Sequence, residues 1–225
     1  MSYILNIETA TTNCSVSLSK EGEILVLKED YNSNFSHAES LHLFIDTVFK
    51  EANLKPHEVD AIAVSKGPGS YTGLRIGVSA AKGLCFSLDK PLISVDTLAA
   101  LSQQVDVDSG CIVPMLDARR LEVYAAVYDK DHKQMRTIEA QILNADSFKD
   151  FLDIGKVYFI GTGVEKTKEI ISHPNAVFIE NKLPSANEMG KLAYDKYKIG
   201  DIENVAYFEP FYLKDFIGTK AKAKD

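Results

Sequence analysis

The sequence predicts an α/β protein of two similar lobes, each a mixed β-sheet with helices packed on it. Three observations predict this. Strand-like and helix-like patterns alternate along all 225 residues, as they do when helices cover the faces of a sheet. The second half repeats the first: Ile7-Glu8-Thr9-Ala10 lies over Leu116-Asp117-Ala118-Arg119, and without a gap CSVSLSK then lies over VYAAVYD. Between the copies the chain turns polar, at SQQVDVDSG. The lobes are therefore expected at residues 1–105 and 106–225, the second ending in a short basic tail, GTKAKAKD.

Each element has its own reason. Tyr3 to Ile7 is apolar, Cys14 to Leu18 alternates, and Glu23 to Leu27 follows a Lys-Glu-Gly turn, giving three opening strands. From Ser40 the period changes, and Leu41, Phe44, Ile45, Val48, Phe49 and Ala52 fall on one helical face. Val59 to Ser65 is a β-branched run suited to a buried parallel strand. A turn and a helix over 71–88 follow, then the strand LISV after Pro91 and a short helix over 97–104. The second copy runs through three strands, a helix near 147–152, the strand VYFIGTG, a helix near 165–171, the strand AVFIE and a helix over 186–197. Two lobes that each open on an acid-bearing β-hairpin resemble the actin-like (ASKHA, ribonuclease H-like) architecture of sugar kinases. There the two hairpin turns face each other across a cleft and flank a nucleotide, although a fold does not by itself give a function.

Composition narrows the class. With 45% hydrophobic and 25% charged residues the chain is ordinary globular material. No apolar run approaches the ~20 residues of a membrane span, and the N-terminus lacks the pattern of a leader peptide. A soluble cytoplasmic protein without a membrane role is expected. Cys14, Cys85 and Cys111 are far apart and form no Cys-x-x-Cys pair, which argues against a disulfide framework or a zinc site. The net charge of −7 argues against a chain that grips nucleic acid by itself, so another subunit would do most of the holding.

Candidate chemistry is sparse. Glu8 and Asp117 end the first strand of each copy, where two carboxylates could hold a divalent ion and phosphate between them. The alternative is that each caps its own hairpin turn by accepting backbone N–H bonds. His37 and His42 are five apart. On a helix they point roughly 140° from each other, which does not suit a shared metal; His37 is expected just before the helix, with Ser36 or Ser40 near its N-cap. No Gly-x-Ser-x-Gly nucleophile motif is present.

The stretch SKGPGSYTGLRIG looks like a phosphate loop, but Leu74 and Arg75 follow its last glycine-bounded turn where a Lys-Ser/Thr pair is needed. What remains is a tight turn, a helix cap from Ser70 or Thr72, and a helix N-terminus that favours anions. Gly73, Gly77 and Ala81 recur every four residues, a stripe that lets another backbone approach closely. Leu74, Ile76, Val78, Leu84, Cys85, Phe86 and Leu88 cover more than one face of the helix. Either the helix is sandwiched within its lobe, or one face waits for a partner.

The run VDAIAVSKGPGSYTGLRIGVSAAKGLCFSLDKPLISVDTLAAL closely resembles the bacterial tRNA threonylcarbamoyladenosine biosynthesis protein TsaB (YeaZ-like) family. HAESLH, MLDARRLEVYAAVY and the late PFYLK extend the likeness over nearly the whole chain; Lys214 stands where relatives often have Arg. The resemblance implies a non-catalytic subunit of the assembly that places a threonylcarbamoyl group on the adenosine beside the anticodon of tRNA. It implies partnership with a catalytic, TsaD-like homologue and a small, TsaE-like ATPase subunit, with tRNA met only through the complex. It further implies no tightly bound cofactor, leaving ATP a place at the interface of the assembly. Metal-binding histidines of the catalytic relative fall on or near Thr97 and Leu101, which cannot replace imidazole.

Three readings follow. The leading one is an assembly subunit with no catalytic residue and no metal ligand. Its docking face lies on the first-lobe helices, at Leu41, Ile45, Val48, Leu74, Val78 and Ala81, and it pairs with itself as a homodimer when isolated. Glu8, Ser70, Thr72 and Asp117 are its candidate anion or nucleotide contacts. The alternative is a small ATP-dependent kinase or phosphatase with Glu8 and Asp117 flanking Mg-nucleotide. The third, a metal-dependent peptidase, lacks ligand histidines at helical spacing.

Overall fold

A computed structural model describes residues 1–31 and 37–214. The first sheet opens with an antiparallel meander, β1 (Tyr3–Glu8), β2 (Cys14–Lys20) and β3 (Glu23–Asp30). β4 (Ala61–Gly67) and β5 (Leu92–Asp96) then add in parallel on the other side of β1, giving the order β3-β2-β1-β4-β5. The second sheet contains β6 (Cys111–Asp117), β7 (Glu122–Asp129), β8 (Gln134–Ile142), β9 (Val157–Ile160) and β10 (Ala176–Ile179). Its order is β10-β9-β6-β7-β8, with β6 taking the place of β1 and the same strand directions throughout. The repeat read in the sequence is thus a repeat of topology.

Alternation along the strands sorts the core. Leu5, Ile7, Ile62 and Val64 face α1 (His37–Glu51) and α2 (Tyr71–Leu88). Their neighbours Ile4, Ala61 and Ala63 face the other way, onto Ala186, Met189 and Ala193. Those last residues lie in or just before α6 (Met189–Ile199). This departs from the expected lobes, since the last helix of residues 106–225 packs on the first sheet. α3 (Thr97–Ser102) serves both sheets: Ala100 joins the first core, while Leu98 and Leu101 pack with Ile112, Leu116 and Ile160 of the second. α4 (Lys149–Leu152) and α5 (Val164–Ile170) cover the outer face of the second sheet through Leu152 and Val164, against Val113, Met115 and Phe159.

Boundaries move for local reasons. β4 starts at Ala61 rather than Val59, because Pro56–Glu58 forms a 3-10 turn and Asp60 exchanges bonds with Tyr3 on β1. α6 starts at Met189 rather than Ala186, because the Ala186 N–H donates to Ser15 Oγ at 3.0 Å and the Asn187 N–H to Ser185 Oγ at 3.1 Å. α1 begins at His37, so Ser40 falls inside its first turn instead of capping it, and Ser36 lies outside the described residues. No helix among the described residues is long and apolar enough to cross a membrane.

Candidate functional site

The ends of β1 and β6 bring two hairpin turns to the edges of one cleft. Glu8 and Asp117 close those strands, but they are not equivalent. The Glu8 side chain is 0% exposed. Its Oε1 accepts from the Ala10 N–H at 2.6 Å and from Ser65 Oγ at 2.8 Å, while Oε2 is buried with no partner among the described residues. Burial raises its pKa from 4.5 to about 7, against the hydrogen bonds from Ala10, Ser65 and Thr9 that pull it down. Asp117 is exposed. Its Oδ1 accepts from the Arg119 N–H at 2.6 Å and from Lys166 Nζ at 2.8 Å, and its own N–H donates to Thr162 Oγ1 at 2.9 Å. Each acid therefore caps its own turn, and Glu8 points into the protein rather than at the cleft.

Across from Asp117 stands the start of α2. Ser70 is its N-cap, the Oγ accepting from the Gly73 N–H at 3.3 Å, while the Ser70 N–H donates to the Ala10 carbonyl at 2.7 Å. Of the two residues able to cap, Ser70 does so, and Thr72 is left exposed on the cleft wall. The small-residue stripe explains how close α2 comes. A Cβ on Gly73 would lie 2.1 Å from the Thr9 carbonyl oxygen, and one on Gly77 would lie 2.2 Å from Thr9 Oγ1. Thr9 Oγ1 donates to the Gly73 carbonyl at 2.8 Å, so helix and hairpin turn are locked together.

The cleft itself has a volume of ≈ 1090 Å³. The first lobe contributes residues 10–12 and 68–72, the second 116–122 and Thr162, and the C-terminal segment residues 211–214. That segment crosses from lobe to lobe. The Phe211 N–H donates to the Lys66 carbonyl at 2.7 Å, the Tyr212 ring lies 5.0 Å from that of Tyr71, and Lys214 forms an ion pair with Glu122 on β7. Lys82 of α2 holds the same segment further back, donating to the carbonyls of Ala206 at 3.1 Å and Phe208 at 3.0 Å. The PFYLK stretch was visible in the sequence, but only a tertiary contact could reveal that its lysine reaches the other lobe.

The docking residues expected on the first-lobe helices need correction. Leu41, Val48 and Ala81 are 0% exposed, Leu74 1%, Val78 4% and Ile45 7%, all facing the chain's own core. A regular apolar period selects the inward face, which is why these six were the conspicuous ones. The outward faces of α1 and α2 instead enclose a groove of ≈ 710 Å³, lined by His42, Arg75, Ile76, Ser79, Ala80 and Leu84 among others. Leu43 and Phe86 stand on the same helices with 60% and 87% of their surface exposed. α2 is thus packed within its lobe on one side and open on the other.

Among the described residues no group of three or more His, Cys, Asp and Glu side chains is placed to hold a metal ion. Thr97 and Leu101 are both 0% exposed. The three cysteines are free and buried, and burial pushes Cys14 and Cys85 up to about 12 and Cys111 to about 11.

Paired sheets of one topology, with an acid-ended hairpin from each at a shared cleft, define a protein of the actin-like class. A solved structure of ethanolamine utilization protein EutJ from Carboxydothermus hydrogenoformans shares this fold, with a TM-score of 0.52 over 86% of this chain and 90% of that one at 11% identity. The family model described as TsaD, tRNA N6-adenosine threonylcarbamoyltransferase, matches residues 32–216, and the chain belongs to that family, where it is TsaB/YeaZ-like. The tRNA threonylcarbamoyladenosine biosynthesis protein TsaB of Escherichia coli K12 is 28% identical over 96% of each chain. YeaZ from Pseudomonas aeruginosa superposes with a TM-score of 0.81 at 29% identity, over 95% of this chain and 100% of that one. A tRNA N6-adenosine threonylcarbamoyltransferase from Staphylococcus epidermidis is 40% identical, but over 43% of this chain and 33% of its own.

Proposed function

We propose that the chain is an accessory subunit in the biosynthesis of threonylcarbamoyladenosine on tRNA, without chemistry of its own, and that it works by docking on a catalytic homologue. The exposed groove between α1 and α2, helices that also expose Leu43 and Phe86, carries this reading. An apolar helical face left open on a folded domain is a protein-binding surface, and a homologous chain offers the matching pair of helices. Alone, the same face pairs with a second copy of itself. A small ATPase subunit, with ATP at the joint surface, completes the assembly that the family resemblance implies.

Size-exclusion chromatography tests it. Mixed with a TsaD-like catalytic homologue, the chain should shift to an earlier elution volume, and by itself it should elute as a dimer. Phe86→Asp should abolish both associations while keeping the wild-type melting temperature within about 2 °C, since it alters an exposed position. Ile45→Asp should instead cost about 3 kcal/mol or more of stability, because it buries an unpaired charge. A folded Phe86→Asp protein that still co-elutes would remove this face from the proposal. The kinase or phosphatase alternative needs both acids at one nucleotide, and Glu8 is sealed off from the cleft. Calorimetry with Mg-ATP that gave saturable heat lost in Asp117→Asn would favour it.

A further inference from the structure

The turn after β6 holds two consecutive arginines in the left-handed region, Arg119 at φ 71° and Arg120 at φ 51°. That backbone conformation is the ordinary place of Gly and Asn. A sequence that keeps two long cations there keeps them against their backbone preference. Both side chains are exposed, both line the cleft, and neither has a side-chain partner among the described residues. The other cations at this wall are already engaged, Lys166 by Asp117 and Lys214 by Glu122.

The facing wall supplies aromatic surface. The rings of Tyr71 and Tyr212 lie 5.0 Å apart, and the Arg75 guanidinium sits 5.0 Å from the Tyr71 centroid. Arg75 is engaged with Tyr71, its Nη1 donating to the phenol oxygen at 3.0 Å, so the free guanidinium groups of the cleft are those of Arg119 and Arg120 on the opposite wall. Aromatic rings on one wall and free guanidinium groups on the other are the elements of single-stranded nucleic-acid recognition, in which bases stack on tyrosine and phosphates meet arginine. The ≈ 1090 Å³ of the cleft slightly exceeds the roughly 300–1,000 Å³ of small-molecule sites, which leaves room for more than one nucleotide. A metal-bound triphosphate fits less well, because Glu8 is turned inward and Asp117 is held by Lys166. We propose that the cleft between the lobes binds a short single-stranded segment of RNA, with a base on the Tyr71–Tyr212 pair and phosphates on Arg119 and Arg120. The choice of RNA over DNA rests on the tRNA reading above. On this proposal the chain would touch the tRNA itself, beyond the contact through other subunits that the sequence leads one to expect.

Fluorescence anisotropy of a labelled single-stranded RNA of about ten nucleotides, titrated with the isolated full chain at low salt, tests the proposal. Saturable binding is expected. Arg119→Asn/Arg120→Gly suits both backbone positions, so it should keep or raise the melting temperature while weakening binding at least about tenfold. It should also lower the slope of log affinity against log salt by about 1.4, or about 0.7 for each phosphate contact removed. Tyr212→Ala should weaken binding by about tenfold through lost stacking and leave the slope unchanged. Absence of saturable binding below about 1 mM, or a Kd unchanged in the Asn-Gly variant, overturns the proposal. So does Mg-ATP binding at these residues more tightly than the RNA. The titration uses the chain alone and the co-elution uses it with its homologue, so either can fail while the other stands.

Discussion

Glu8 shows how one methylene and a degree of burial change what a carboxylate can do. Its Oε1 is held by Ala10 and Ser65, while its Oε2 meets nothing among the described residues. Burial, assisted by the neighbouring charge of Glu188, moves its pKa from 4.5 to about 7. Between those two values the folded protein keeps a proton that the unfolded chain has released. The stabilisation from this group is therefore complete below pH 4.5 and is lost as the pH rises through 7. Glu8→Gln removes the titration. Relative to wild type it should gain on the order of 2–3 kcal/mol at pH 8 and almost nothing near pH 4.5. Urea titrations at the two pH values check this, and an equal difference at both would contradict it. The acid at this position was legible in the sequence. Its inward aim was not, because it depends on Ser65, 57 residues away.

At the scale of elements, α2 separates what its sequence period reveals from what it hides. Gly73, Gly77 and Ala81 marked a face of close approach, and that face does press on the Thr9 turn. The object it presses on comes from another part of the chain and leaves no trace in the helix's own pattern. Apolar residues on the remaining sides left two possibilities open, a helix sandwiched within its lobe or a face left for a partner. In the structure Phe86 stands out into solvent and Val78 points into the core. The glycines of this helix should therefore respond in opposite directions to one substitution. Gly73→Ala forces a Cβ toward the Thr9 carbonyl and should cost about 3 kcal/mol. Gly83 has nothing within 4 Å of an added Cβ, so Gly83→Ala should stabilise by about 0.5–1 kcal/mol through helix propensity alone. Chemical denaturation of both variants decides it, and losses of similar size would refute the account.

The whole molecule is more interleaved than two lobes in chain order. The strands of each sheet come from one half of the sequence, and their repeat was readable from the acid-ended hairpins onward. The helices do not respect that division: α3 packs between the sheets and α6 returns to cover the first. The apolar stripe of α6 suits the open face of either sheet, so its sequence carries no address. The address lies in tertiary bonds, Ser17 Oγ to the Ala186 carbonyl at 2.8 Å and Asn13 Nδ2 to the Pro184 carbonyl at 3.0 Å. It follows that residues 1–105 lack one whole layer of their core. Without Ala186, Met189 and Ala193, a face bearing Ile4, Ala61, Ala63 and Ile93 would meet water. The fragment 1–105 should then show no cooperative melting transition. The full chain should unfold in one step, with far-UV circular dichroism and tyrosine fluorescence coinciding. Met189→Asp, which places a charge in that layer, should lower the midpoint of the single transition without splitting it. A fragment 1–105 that melts cooperatively near the wild-type temperature would mean that the layer is an addition to the first lobe rather than a part of its core.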